Sequence, residues 1–244
     1  MSKELLTFIK KLHDQSIELL RGVTFNAGPQ SDRLILGTYA SMIEFCGATL
    51  ILVNGNGYIA VPLVFRSLLE TYVNFTNAIA DLNYAKHYDA SHHKHWIKVL
   101  KETDEPNPLL AGIHGHAERA NALKRHQDEF AKLKQAGVEP LDIRSRFERA
   151  GMKNEYESVY VFESDSVHTS LQALMERHFE LKDNRLGLAL YKPRSLQDCL
   201  GRLDSTAALL LDASQVVHAR YKSGREKDVE ALGHEFQKLR ATYA

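Results

Sequence analysis

The sequence predicts an all-α, multi-helix bundle, and three observations carry that expectation. Apolar residues recur every three or four positions over most of the chain, and clusters of glycine, proline and asparagine separate those runs. One stretch alone, RLGLALYKP at 185–193, reads as a strand, so at most one short strand or hairpin is expected. With 244 residues, 44% hydrophobic and 25% charged, the chain can bury a sizeable core. We treat 1–244 as a single all-α domain, with 1–181 as the main bundle and 194–244 as a C-terminal helical extension packed on it. No 20–50-residue repeat, Walker A segment or Rossmann glycine signature is present.

The first helix is expected over residues 2–22, where Leu5, Phe8, Ile9, Leu12, Ile17 and Leu20 mark an apolar side. FNAGPQSD ends it, and Ser31 or Asp32 can cap a second helix running to Val53. The glycine-rich NGNG turns the chain into a third helix from Ile59 to Tyr84, with Pro62 tolerated in its first turn. A shorter helix ends near Asp104, before Pro106 and Pro108. A long amphipathic helix reaches Gln135, and AGVEP at 136–140 punctuates it. A short helix then leads to Gly151, and another from Asn154 to Leu181 is expected to kink at SDS. The last two helices, Ser195–Lys222 and Arg225–Thr242, flank Gly224.

Balanced charge, 31 basic against 31 acidic side chains, argues against bulk attraction to DNA or anionic membrane, although a localised basic groove remains compatible. The charged N-terminal run lacks the apolar core of a signal peptide. The uncharged run 45–65 is divided by NGNG and Pro62 into pieces too short to span a bilayer. Cys46 and Cys199 read as isolated buried residues rather than a disulfide or metal framework. These features favour a cytoplasmic location, no membrane association and no cofactor.

Two constellations could carry chemistry. Between Glu44 and Asp81 the charged side chains are Arg66 and Glu70 alone, one turn apart on a helix that is apolar nearly all round. Burying either charge by itself costs several kcal/mol, so the two must pair with each other or bind something. In EYESVYVFESDSVHTS, residues 155–170, Tyr156, Tyr160, Ser164 and His168 recur every four residues and form one stripe if the helix is continuous. Asp165 stands three residues before His168 and could orient its imidazole, but no GxSxG elbow accompanies Ser164.

Together these stretches, R-x-x-x-E and Y-x-x-x-Y-x-x-x-S-x-x-V-H, resemble the DUF5677 proteins, a helical bacterial group of unknown function, over roughly residues 35–180. The resemblance implies an all-α fold and convergence of Arg66, Glu70 and His168 on one site, and it implies no reaction. The candidate site is therefore Arg66, Glu70, Tyr160, Ser164 and His168. In an enzyme, His168 would be the general acid or base, Glu70 would orient it or the substrate, and Arg66 would hold an anionic group. Nucleotide or RNA phosphates are the substrate class to test first, in a nuclease acting as a toxin or in phage defence, and a homodimer is expected. The alternative is a non-catalytic binding or oligomerisation module in which the same residues form an internal hydrogen-bond network.

Two weaker patterns remain. Arg119-x6-His126 fits the spacing of HEPN-type ribonucleases, yet 15 arginines and 12 histidines make such a match cheap by chance. Their placement on the apolar stripe with Leu123, Phe130 and Leu133 returns a little weight to RNA cleavage, with His126 as base and Arg119 as stabiliser, but helix packing outweighs it. Asp89, His92, His93 and His95 offer metal-compatible i,i+3 and i,i+4 spacings, with His87, His114 and His116 nearby. The surrounding DASHHKHW is polar and lysine-bearing, so a solvated face without a metal site is expected, with Trp96 anchoring the helix. The mixed-sign C-terminal helix could also bind a partner through Val229, Leu232, Phe236 and Leu239.

Overall fold

Helices packed against the long penultimate helix form the frame of the protein, seen in a computed structural model. It describes residues 2–103, 108–110, 112, 116–167, 170–190, 192 and 194–242, with the backbone only at 2 and 165–167. Helix α1 (Ser2–Leu20) buries Leu5, Phe8, Ile9, Leu12 and Leu19, one residue per turn along a single side. Helix α2 (Gln30–Asn54) is longer and buried on more than one side, through residues such as Ile35, Tyr39, Met42, Cys46 and Leu50. By length and composition α2 could cross a membrane, with a mean hydropathy of 1.5 over 18 residues. Here it packs against α1, α3 (Val61–Ala80) and α10 (Leu200–Tyr221). Its Tyr39 hydroxyl lies 2.9 Å from the Ser214 hydroxyl of α10.

Helix α10 touches α1, α2, α3 and α11 (Glu226–Ala241), and its Leu203, Ala207, Leu210, Ala213 and Val217 are fully buried. Each such leucine contributes about 2 kcal/mol of burial free energy. Helix α11 closes the outside by stacking Phe236 on Phe8 of α1, with ring centres 5.0 Å apart. Both cysteines are free and buried, and burial pushes the Cys46 thiol up to about 12.

The remaining elements hang on this frame. Helices α4 (Tyr84–Glu102) and α5 (Arg119–Gln135) form an arm, and α4 also meets α2 and α3. Asp142 caps α6 (Ile143–Arg149) by accepting the Ser145 N–H at 2.7 Å. A helical segment follows in three pieces: α7 (Lys153–Glu155), a π-helical turn (Tyr156–Tyr160) and α8 (Val161–Val167). Then come α9 (Leu171–His178) and an antiparallel hairpin of β1 (Phe179–Lys182) with β2 (Arg185–Leu188), in register Phe179 to Leu188 and Lys182 to Arg185.

Three expectations are corrected. The third helix does not reach Tyr84: Asp81 is extended, and its carboxylate accepts the Asn83 N–H at 2.8 Å, a local turn that outcompetes the helix. The helix expected from Asn154 to Leu181 is broken before Leu171, where Ser170 caps α9 through the Ala173 N–H. Residues 179–182 form a strand, because Asp183 and Asn184 both take positive φ, the geometry of a tight two-residue hairpin turn.

His218 lies in α10 with no exposed surface, its Nδ1 2.7 Å from the Ser223 hydroxyl and its Nε2 without a partner among the described residues. Burial, aided by Arg225 and opposed by Glu226 and Asp228, holds its pKa below the ordinary value. Below about pH 6.5 the unfolded chain takes up a proton that the folded chain refuses, so stability falls as pH falls. We expect this residue to add up to about 1.4 kcal/mol per pH unit to the acid loss of stability. Urea unfolding at pH 7.5 and 5.5 measures it, and His218→Gln should flatten the difference.

Candidate functional site

Helix α3 is buried on two sides, and its side chains divide accordingly. Phe65, Leu68 and Phe75 join the main core, whereas Leu69 and Val73 join a smaller cluster with Phe147 of α6 and Tyr160 of the π turn. Four polar residues follow each other at helical spacing along the second side: Arg66, Glu70, Asn74 and Asn77. Asn74 accepts the Tyr84 hydroxyl at 2.7 Å, and Asn77 donates to the Arg146 carbonyl at 2.8 Å.

Arg66, Glu70 and Tyr160 form a triangle. The guanidinium donates through Nε to Glu70 Oε1 at 3.2 Å and through Nη2 to the Tyr160 hydroxyl at 2.7 Å. That hydroxyl donates to the same Glu70 oxygen at 2.8 Å. The Arg66 Cζ also sits 4.8 Å from the centre of the Tyr160 ring. Burial raises the Tyr160 pKa, and Arg66 and Glu70 pull it in opposite directions, so the phenol stays a proton donor. Burial alone would disfavour the Arg66 charge, but Tyr160 and Glu70 outweigh it and raise its pKa.

The π turn helps bring Tyr160 here. The Val161 N–H reaches back to the Tyr156 carbonyl, five residues earlier instead of four. Tyr156 and Tyr160 then stack at 5.4 Å, and both rings lean on Phe147. The triangle keeps an open side, since the Arg66 side chain is 19% exposed and that of Glu70 37%. Ser164 does not join it: its hydroxyl donates to the Tyr160 carbonyl on its own helix at 2.8 Å. His168 lies outside the described residues, as does the side chain of Asp165.

A family model described as a family of unknown function, DUF5677, matches residues 32–186, more than half of the chain. The chain belongs to the DUF5677 family. No curated protein and no solved structure matches it. The DUF5677 segment runs from α2 into β2 and contains all five candidate residues, whereas α10 and α11 lie beyond it.

A buried ion pair that crosses that boundary was missed in the sequence. Glu163 of α8 is 3% exposed, and its two oxygens lie 2.9 and 3.0 Å from Arg202 Nε of α10. Burial raises the Glu163 pKa, against the pull of Arg202. The pair borders a cleft of roughly 550 Å³ whose wall includes Phe65, Val159, Phe162, Gly201 and Ser205. Arg202 sends no isolated-charge signal like that of Arg66, because Asp198 and Asp204 stand close to it in sequence.

The histidine patterns of the DUF5677 chain also rearrange. His87 contacts the Glu139 carbonyl at 2.7 Å, and Arg119 donates through Nε to the Leu100 carbonyl near the end of α4. His126 turns towards His92 and His93. The histidine face of α4 is thus partly covered rather than simply solvated. His114 lies outside the described residues.

Tyr160→Phe removes both hydroxyl bonds and keeps the ring against Phe147. We expect a loss of about 2 kcal/mol in urea unfolding with unchanged far-UV circular dichroism. In a Glu70→Gln background the same change should cost less than half as much; additive losses would show that the three groups are uncoupled.

Proposed function

We propose that the protein is a ligand-binding helical module in which the Arg66–Glu70–Tyr160 triangle is an internal brace. The cleft beside it receives the ligand. The observation that supports this most is the composition of that cleft: a largely apolar wall around one buried charge pair, Glu163 and Arg202, in a volume of roughly 550 Å³. Ligand sites are typically apolar cavities of about 300–1,000 Å³ with a few convergent polar groups, and strongly desolvated ionisable groups mark them. The three groups bond one another across the gap, which suits a brace between α3 and the 153–167 segment. Glu163 and Arg202 offset each other and Asp198 also lines the cleft, so the fitting ligand is a small, mostly apolar molecule with one neutral or cationic polar head.

A Cβ at Gly201 would meet no atom within 4 Å, so Gly201→Phe can fill the cleft without disturbing the core. Wild type should bind the neutral dye Nile red with increased fluorescence, and Gly201→Phe should lose at least ten-fold in affinity at an unchanged or higher melting temperature. Equal binding by both proteins would place the dye elsewhere.

A second reading is favoured by the open side of the triangle at Glu70. A phosphate of a nucleotide or RNA could reach Arg66 there, with His168 as acid or base and Glu70 as the orienting group, in the toxin or phage-defence role and in a homodimer. Turnover of RNA and nucleotides by wild type, lost in a folded His168→Ala variant, would support it. Equal rates would remove His168 from any such mechanism.

A further inference from the structure

Helix α5 seats a histidine where an amphipathic helix ordinarily places an aliphatic side chain. Among the described residues His126 is the one buried side chain of α5, flanked on its stripe by half-buried Leu123, Phe130 and Leu133. Opposite it, α4 presents Asp89, His92, His93 and Trp96, at positions i, i+3, i+4 and i+7 of one helical face. Trp96 stacks on the His126 ring with a 12° tilt and centres 6.1 Å apart, which fixes the plane of the imidazole.

The three histidines converge. One ring nitrogen from each of His92, His93 and His126 lies within 4.8 Å of the other two. The Nδ1 atoms of His93 and His126 face each other at 2.8 Å, so in the neutral state one of them must carry a proton and the other a lone pair. Asp89 Oδ1 lies 3.5 Å from His93 Nε2, the opposite nitrogen of that ring. A carboxylate on Nε2 favours the tautomer that leaves Nδ1 free to ligate, the arrangement commonly found behind metal-bound histidines.

We propose that His92, His93 and His126 form a binding site for a divalent transition metal of the zinc class, with Asp89 orienting His93 from behind. Imidazole nitrogens suit Zn²⁺, Co²⁺ and Ni²⁺, whereas Mg²⁺ and Ca²⁺ require oxygen donors. Around a tetrahedral ion with Zn–N bonds of about 2.05 Å, neighbouring nitrogens stand about 3.3 Å apart. The His93–His126 pair at 2.8 Å therefore has to widen by about 0.5 Å as the shared proton is replaced by the ion, and His92, with separations of up to 4.8 Å, has to close by up to about 1.5 Å. His92 is exposed, so the fourth position faces solvent and is filled by water.

The electrostatics are mixed and favourable enough. Arg125 opposes a dication at this site and Asp89 attracts one. The site would pin α5 to α4 across a helix pair in which, among the described residues, α5 contributes a single buried side chain. It is independent of the cleft and of the Arg66 triangle, which lie on other elements.

The test is isothermal titration of the chelator-stripped full chain with ZnCl₂, followed by Co²⁺ absorption spectroscopy. We expect one ion per chain, micromolar or tighter affinity, a raised melting temperature and a tetrahedral Co²⁺ spectrum. His126→Phe keeps an aromatic ring against Trp96 and should fold while losing at least 100-fold in affinity, and His93→Ala should behave likewise. His95→Ala, on the same helix but outside the cluster, should bind as wild type does. Undiminished zinc binding by folded His126→Phe, or no binding by wild type, would overturn the assignment.

Discussion

Burial of α3 on two sides obliges most of its inward-facing polar groups to find partners inside the protein, and Asn77 Oδ1 alone of the seam has none among the described residues. An apolar helix covered on one face can turn its charges to water; α3 cannot do so freely, because α2 and α10 take one side and α6 with the π turn takes the other. The result is a polar seam in which Arg66 and Glu70 meet Tyr160, Asn74 meets Tyr84, and Asn77 meets the Arg146 carbonyl. An unpaired group in such a seam costs about 1–3 kcal/mol, more if charged, so the seam also specifies which elements dock there. The tyrosine is well suited to the central place, since its hydroxyl can accept from a cation and donate to an anion at once.

The same logic extends to α10. The DUF5677 segment ends in β2, yet α10 packs on both α2 and α3, α1 packs on α2, and α11 closes over α1 and α10. Residues beyond the matched segment thus complete its core. They also complete its chemistry, because Glu163 within the segment depends on Arg202 outside it. A buried carboxylate without its guanidinium would cost several kcal/mol, which ties the two parts of the chain together electrostatically as well as by packing.

Most helices were legible because their apolar spacing is long and regular; α1, α2, α5, α10 and α11 fall within a few residues of expectation. The pairing of Arg66 with Glu70 was also readable, since two charges in an uncharged run stand out. Tyr160 was placed on the right stripe, although the π turn that aims it has no residue signature in the sequence. Local competition hid the rest: an Asp81 side chain that ends a helix, and an Asp183–Asn184 pair that begins a hairpin. Long-range convergence hid most. His126 is 33 residues from His93, and Glu163 is 39 from Arg202, distances at which spacing says nothing about contact.

The π turn has a consequence for how this segment tolerates change in length. Adding one residue to an α-helix rotates everything after it by about 100°. The bulge at 156–160 is equivalent to such an addition, absorbed without breaking the rod. Losing one residue there would restore ordinary winding and swing Glu163 about a quarter turn around the helix axis, away from Arg202, while Tyr156 upstream stayed in place. The reading frame of the structure, in that sense, is set at Tyr156–Tyr160: side chains before it answer to α6, and side chains after it answer to α10.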